Sequence, residues 1–519
     1  MANVASHLFL RAQDRAIHPA LLFGGEQWTF AQLHRAVCQA AAGLIEQGFV
    51  TGQKMGLMLP SGPEFIIFEY AAFALGGVLV PLNVHYKSSE IEHVLESCDV
   101  DYVVIHAEYL SRLTMSMLER LPKLRRAWVL GGGTFPDDLR FASAQTVIEH
   151  PRAIASVTER ADDDLALMLH TSATTGKAKG VMLTVCNLQA NYDRTPDWLG
   201  LEADDRILCA LPLYNTFGLN QCINATMVRG ATLVLLPRFD ALECLATIQR
   251  ERCTFLPAVP TMLQKILNDP RTAEFDLTSV RRILVGAAPV PAPLLEQVYR
   301  QMGRDTVVMT GYGLTEATAL VSVEHTSLDE HGNLLRPKSV GRVVPGIQMR
   351  VADEHGRELP PGQVGQICIK GPNVMRGYYK MPDETARAIV DGWLQTGDLG
   401  TMDAEGHFYI VDRKKDLIIR GGQNIYPADI EDVLYRHPGV AEAAVIGRPD
   451  EVFGEVPEAY VALKPGATAS VEDLLNLCRA ELAYFKVPKQ VHLIVELPKG
   501  PTGKILRRGL RATGKTSSP

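Results

Sequence analysis

Four hydroxyls, two lysines and two glycines fall within one short stretch, Leu169-His170-Thr171-Ser172-Ala173-Thr174-Thr175-Gly176-Lys177-Ala178-Lys179-Gly180. Apolar runs flank it, Leu165-Ala166-Leu167-Met168 before and Val181-Met182-Leu183 after, a pattern that predicts strand, loop, strand. A loop of this composition suits a polyphosphate. Glycines let backbone N–H groups approach the oxygens, hydroxyls donate further hydrogen bonds and lysines supply charge. The Walker loop is excluded, because it needs Gly five residues before Gly176 and Ser or Thr after Lys177, where this chain has Thr171 and Ala178. A second constellation is Gly311-Tyr312-Gly313-Leu314-Thr315-Glu316. Its aromatic ring can stack on adenine, its glycines leave room for substrate, Thr315 can hydrogen-bond phosphate, and Glu316 can hold Mg²⁺, which takes one or two carboxylates beside phosphate oxygens and water.

Together these motifs resemble the acyl-adenylate-forming (AMP-binding) superfamily, which includes acyl-CoA synthetases, adenylation domains and luciferases. The first stretch is similar to its signature loop, with Ala173 and Ala178 where the family more often has Gly and Pro; the second matches its Tyr-Gly-x-Thr-Glu core without departure. Further matches follow in the family's order. Gly286-Ala287-Ala288-Pro289, after the apolar Arg282-Ile283-Leu284-Val285, implies a wall shared by the adenine and acyl pockets. Tyr214-Asn215-Thr216-Phe217-Gly218 resembles an aromatic-His-x-x-Gly element beside the acyl substrate, with Asn215 in place of His, and Val259 follows Ala258, where Gly is frequent. Asp398, closing Trp393-Leu394-Gln395-Thr396-Gly397-Asp398, matches an acid that accepts from both ribose hydroxyls. In Asp412-Arg413-Lys414-Lys415-Asp416 the resemblance places Arg413 on the ribose and Lys415 at a pivot. Gly421-Gly422 matches the loop that admits a thiol arm, and Lys504 matches the adenylation lysine that reaches the substrate carboxylate and the α-phosphate.

The resemblance thus implies an ATP and AMP site of Thr171, Ser172, Thr174, Thr175, Gly176, Lys177, Lys179, Gly286, Ala287, Ala288, Pro289, Gly311, Tyr312, Gly313, Thr315, Glu316, Asp398, Arg413 and Lys504. Lys504, Glu316 and Thr171 carry the chemistry, and Glu316 is the metal ligand. The acyl pocket falls to Tyr214, Asn215, Phe217, Val259, Gly286, Gly311 and Gly313.

These residues need a scaffold. Helical periodicity over Ala31 to Gln47, Pro63 to Leu75 and Ile91 to Ser97 alternates with apolar runs at Lys54 to Pro60, Gly77 to Pro81 and Tyr102 to Ile105. That alternation predicts an α/β layer with a largely parallel sheet. Sequence from Lys338 onward, including Val364 to Ile369, is β-rich; Gln366 replaces a common Glu there. About a hundred residues follow the Asp412–Asp416 charge run, enough for a small domain, with an amphipathic helix bearing Ile430, Val433 and Leu434 and a second helix capped by Ser470. The expected organisation is α/β: an N-terminal domain 1–411 of layered α/β subdomains plus a β-rich subdomain, a hinge 412–416, and a mobile α+β lid 417–519.

At 519 residues the chain has room for about two to four folding units. Apolar residues make up 46% and charged residues 21%, ordinary values for a globular protein, and a formal charge of −7 offers no general attraction to nucleic acid or an anionic membrane. Nine scattered cysteines without a C-x-x-C pair point to a reducing compartment, so a cytoplasmic location is expected. His7 and Arg11 break up the first apolar stretch as a signal peptide, and the longest apolar run, Ala71 to Leu82, is too short to span a bilayer.

The implied reaction is attack of an organic carboxylate on the α-phosphate of ATP with Mg²⁺, giving acyl-AMP and pyrophosphate, then transfer of the acyl group to coenzyme A. Tyr214, Phe217 and Val259 would make the pocket apolar, favouring a medium or longer fatty acid or an aryl acid. Three other readings share these motifs: an acyl-acyl-carrier-protein ligase, a luciferase-like oxidase and a non-catalytic nucleotide-binding regulator. The sequence leaves the oligomeric state open.

Overall fold

Short apolar runs and helical repeats assemble into two large sheets that share one apolar core, followed by a third, smaller sheet with its own core. The computed structural model describes residues 3–136, 138–171, 178–464, 466–499 and 505–513.

The first, eight-stranded sheet is parallel from Leu165–Thr171 through Val78–Pro81, Lys54–Met58, Tyr102–His106 and Arg126–Leu130 to Phe141–Ser143. At its other end Leu165–Thr171 turns back antiparallel onto Lys179–Thr184, pairing Thr171 with Lys179. The two predicted strands therefore pair as a hairpin at the edge of the parallel layer.

The second sheet has fourteen strands among the described residues. Its parallel part runs Pro19–Phe23, Thr232–Leu235, Arg206–Cys209, Phe255–Ala258, Arg282–Gly286, Val307–Gly313. Beyond Gly313 the sheet becomes antiparallel, through Leu320–His325, Ser339–Val343, Phe408–Arg413, Trp393–Met402, Gly365–Lys370 and Gln348–Ala352. The expected largely parallel α/β layer is the first sheet, where Lys54–Met58 runs parallel to both Val78–Pro81 and Tyr102–His106, and the β-rich sequence from Lys338 onward forms the antiparallel part of the second. The reason is local: the few residues between Gly313 and Leu320 are too short for a crossover helix, so the chain can only double back.

Helix Pro63–Ala74 is buried at every position but Glu64, as its largely apolar circumference requires, and belongs to the shared core. Phe30–Glu46 begins with a capping box in which Thr29 Oγ1 accepts from the Gln32 N–H at 3.2 Å and Gln32 Oε1 accepts from the Thr29 N–H at 2.8 Å.

From Ile418 onward a five-stranded sheet packs against helices Pro427–Tyr435 and Val471–Glu481 around Ile418, Ile430, Leu434, Val445, Val461 and Leu474. Ser470 caps the second helix as expected, accepting from the Asp473 N–H at 3.1 Å. Contacts that tie this unit to the preceding sheet include Lys338 paired with Asp432, the Ala428 N–H donated to Asp412 Oδ2 at 3.1 Å, and Arg507 at 3.9 Å from Asp412 Oδ1. All nine cysteines are free thiols, and among the described residues no helix is long and apolar enough to cross a membrane.

Candidate active site

The hairpin root and the turn after strand Val307–Gly313 come together through a short connecting segment, 375–379. Met375 donates its N–H to the carbonyl of Glu316 at 2.9 Å and Arg376 to that of Met182 at 3.0 Å, while Tyr379 donates to Gly180 at 2.9 Å. Strand Gly377–Tyr378 pairs with the hairpin strand, Tyr378 opposite Val181. The Tyr378 ring lies beneath Lys179, with the ammonium 4.8 Å from its centroid, and its hydroxyl donates to Glu316 Oε1 at 3.1 Å. The Lys179 ammonium is itself paired with Glu384.

Glu316 is thereby placed beside the hairpin. Burial pushes its carboxyl above the ordinary range, with the Tyr378 hydroxyl pulling the other way. A half-buried carboxylate that forms no ion pair among the described residues is a donor suited to Mg²⁺, which uses few protein ligands and keeps phosphate and water around it. Among the described residues no group of three or more His, Cys, Asp or Glu forms a metal cluster, so any metal here would rely on such a sparse donor set.

Asp398 defines the other side. Its Oδ2 accepts from the Tyr312 hydroxyl at 2.6 Å, its Oδ1 lies 3.2 Å from Arg413 Nε, and its N–H donates to Thr396 Oγ1 at 3.0 Å. Asp398 and Arg413 face each other across adjacent strands. Tyr312 is buried, and burial followed by the adjacent Asp398 charge raises its hydroxyl's pKa well above the ordinary range, so it serves Asp398 as a neutral donor. Tyr312, four positions before Glu316, ties Asp398 to the Glu316 side of the site.

Glycines shape the space between, partly for reasons other than those expected. Gly286 pairs with Gly311 on the neighbouring strand, and a Cβ on Gly286 would meet only the Gly311 carbonyl, at 3.2 Å. At Gly313, however, a Cβ would fall 1.8 Å from the Ala319 carbonyl oxygen, and at Gly311 2.7 Å from a Leu320 methyl. The room expected there for substrate is filled by the chain's own return strand. Ala287, next to Gly286, has φ +66°, a left-handed conformation costly for a residue with a Cβ and of the kind held in place at functional turns.

Other expected residues are placed as follows. Thr315 opens a single 3₁₀ turn, Thr315–Ala317, at the end of the glycine strand. Tyr214 and Val259 are buried, Phe217 is partly buried against the core, and Asn215 precedes the turn Thr216–Gly218 without a side-chain capping bond. Lys415 is exposed, and partial desolvation together with the Arg413 charge lowers its pKa. Gly421 and Gly422, at φ +55° and +81°, form a turn in the C-terminal unit held by the Gly421 N–H on the Phe453 carbonyl at 2.7 Å. Ala288 and Pro289 continue the turn after Gly286. Ser172, Ala173, Thr174, Thr175, Gly176, Lys177 and Lys504 lie outside the described residues.

Sequence reasoning missed the groups that hold the hairpin root. His170 Nε2 and Cys98 Sγ are 3.1 Å apart, and His93 Nε2 lies 2.9 Å from the Ala178 carbonyl oxygen. Burial, with His93 close by, lowers the His170 pKa to about 4, so the ring is neutral near neutral pH. Tyr378 was missed as well; the Gly-Tyr-Tyr run at 377–379 gave no sign of its contact with Glu316 across the fold.

This geometry has known counterparts. A model of AMP-binding enzymes matches residues 8–379, and one of the AMP-binding enzyme C-terminal domain matches 429–504. The chain belongs to the AMP-binding enzyme family. Among relatives within the family, a methyl-dioxo-octahydroindenyl-propanoyl:CoA ligase of Rhodococcus jostii is 36% identical over 510 residues, covering 96% of each chain. A long-chain-fatty-acid–CoA ligase of Bacillus subtilis is 34% identical over 519 residues, covering 95% of this chain and 91% of that one. The crystal structure of ATP-bound MatB from Rhodopseudomonas palustris superposes with a TM-score of 0.89 at 32% identity, covering 99% of both chains. Within the AMP-binding enzymes the chain therefore stands among the AMP-forming acid–CoA ligases, with their α/β body and smaller C-terminal unit.

Proposed function

We propose that the chain condenses a carboxylic acid with ATP to an acyl-adenylate and passes the acyl group to the thiol of coenzyme A. The observation that carries this reading is that Lys179 at the hairpin root and Glu316 meet on Tyr378, with the Tyr312–Asp398–Arg413 group on the strand that leads to Glu316, in a chain whose relatives join acids to CoA.

Asp398 takes the ribose: a carboxylate offers about four lone-pair positions, and Tyr312 and Arg413 use two. The Gly286–Pro289 turn and Tyr312 enclose the base. Thr171, Lys179, Thr315 and the hydroxyls and lysine of the hairpin tip, Ser172, Thr174, Thr175, Gly176 and Lys177, receive phosphate oxygens, and Lys179 would exchange Glu384 for them. When bound, Mg²⁺ held by Glu316 would neutralise charge on the phosphates. Lys504 is assigned to the substrate carboxylate and the α-phosphate. The carboxylate oxygen forms a bond to the α-phosphorus, the bond to pyrophosphate breaks, and no protein nucleophile takes part. Both reactants are anions, so catalysis rests on positioning and charge neutralisation.

For the second half-reaction the unit 417–519 would turn about Lys415, withdraw Lys504 and bring Gly421–Gly422 over the adenylate for the thiol. The acid's body next to its carboxylate meets Tyr214, Asn215, Phe217 and Val259, an apolar surface suited to a fatty acid of medium or longer chain or to an aryl acid. The test is pyrophosphate release from ATP and Mg²⁺ across aliphatic and aryl acids, with and without coenzyme A. Acid-dependent release stimulated by coenzyme A is expected, and silence across the panel would reject the reading.

A further inference from the structure

The unit that follows the hinge meets the preceding sheet without a shared core. Among the described residues, the apolar clusters around Ile418, Ile430 and Leu434 and around Ala444, Tyr460 and Leu510 contain nothing from before the pivot Lys415, and the core of the two large sheets contains nothing from after it. The polar contacts that cross the pivot meet two carboxylates, Asp412 and Asp432.

Arg507 shows how such contacts divide. It donates to both oxygens of Glu431, at 2.8 Å and 2.9 Å, and lies 3.4 Å from Asp416 Oδ2 and 3.9 Å from Asp412 Oδ1. Glu431 and Asp416 come after Lys415 and travel with Arg507 when the unit turns; Asp412 comes before it and stays behind. Lys338 and Asp432 are divided in the same way. Lys338 precedes strand Ser339–Val343 of the large sheet, and Asp432 lies on helix Pro427–Tyr435 of the C-terminal unit. A turn about Lys415 that carries Gly421–Gly422 to the nucleotide separates the pair.

The arrangement described is that of the first half-reaction. Asp412 adjoins Arg413, which lies 3.2 Å from the ribose acid Asp398, so Arg507, three positions after Lys504, sits on the nucleotide side. Gly421 and Gly422 are exposed, and a Cβ on Gly422 would meet nothing within 4 Å, so the loop assigned to the thiol faces solvent.

We infer that Lys338 and Asp432 form an electrostatic latch that holds the unit 417–519 in place for adenylation and opens before the thiol reacts. This rests on the two-stage reading above. The two side chains keep 63% and 40% of their surface, so water and salt reach the pair and it opens without exposing a core. An exposed pair is weak, which suits a contact that must break in every turnover.

The test separates the half-reactions in the full chain: pyrophosphate release from ATP and acid without coenzyme A, and thioester formation from supplied acyl-AMP. Asp432→Lys, which sets two ammonium groups against each other, should slow the first at least about threefold and leave the second unchanged or faster. The exchanged pair Lys338→Asp/Asp432→Lys should bring the first back to within about twofold of wild type. Raising NaCl from about 50 to about 500 mM should lower the ratio of first to second rate more in the wild type than in Lys338→Met/Asp432→Asn, which carries no charge at either position. Asp432→Lys acting equally on both steps, on neither or mainly on the second overturns the inference, as does an exchanged pair that fails to restore the first step or a salt response shared by the uncharged variant. Each of these outcomes leaves adenylation intact, whereas a wild type that releases no pyrophosphate with any acid removes that reading and this inference together.

Discussion

Replacing Asp398 by Asn removes one charge and one acceptor from the group assigned to the ribose, with little change of volume. In the wild-type protein Tyr312 donates to one carboxylate oxygen and Arg413 faces the other, at 2.6 Å and 3.2 Å, leaving room for two more donors, the number a vicinal diol supplies. Asparagine keeps one oxygen. Its NH₂ cannot accept and faces either the Tyr312 hydroxyl or the Arg413 guanidinium, so at least one ribose hydroxyl loses its partner. A hydrogen bond to a charged group contributes about 1.5–3 kcal/mol. At about 1.4 kcal/mol per tenfold, nucleotide affinity should fall between about tenfold and about a hundredfold. Calorimetry with AMP reads this directly, and 2′-deoxy-AMP completes a double-mutant cycle: the wild type should lose affinity on losing the hydroxyl, whereas Asp398→Asn should lose much less. An AMP affinity within about twofold of wild type, in a variant that still folds, would refute the ribose assignment.

Lys504→Ala should damage pyrophosphate release far more than thioester formation from supplied acyl-AMP, by about 3–4 kcal/mol of barrier if one aimed donor is lost; equal loss in both half-reactions contradicts the division of labour. Gly313→Ala would drive a Cβ to within 1.8 Å of the Ala319 carbonyl, a backbone atom that cannot swing aside, so it should cost about 3 kcal/mol in urea unfolding. An unchanged midpoint would show that the strand pair yields. Burial raises the Glu69 carboxyl well above its ordinary range, so its contribution to stability is fully present below the unfolded-state value and lost as pH rises through the folded-state value. Glu69→Gln, which cannot ionise, should therefore gain melting temperature over wild type more at about pH 9 than at about pH 5; a gain independent of pH would contradict this.

Much of this architecture is legible in the chain because the motifs are local. The hairpin shows in two apolar runs around a polar loop, the caps at Thr29 and Ser470 in single residues, and the Glu316 turn in six contiguous positions. What stayed hidden depends on distance. The Tyr312–Asp398 bond spans 86 positions and the Tyr378–Glu316 bond 62, so neither leaves a pattern in either segment. Tyr312 read as a ring for stacking is also the donor that orients Asp398. Alternating helices and strands between Ala31 and Ile105 indicated the parallel pairing found there, whereas the change of direction after Gly313 in the second sheet depends on loop length and not on strand composition. Gly313 reads as open space from sequence and is closed by Ala319, since a glycine's missing Cβ says nothing about what fills its place. Ala287 takes a glycine-like φ that its side chain does not advertise.

The most direct test of acyl-adenylate formation follows oxygen. With an acid labelled with ¹⁸O in both carboxylate positions, ATP, Mg²⁺ and coenzyme A, attack of the carboxylate on the α-phosphorus leaves one labelled oxygen on AMP once the thiol takes the acyl carbon. Mass spectrometry should find one ¹⁸O in AMP and none in pyrophosphate. Unlabelled AMP, or label in inorganic phosphate formed with ADP, would contradict the account.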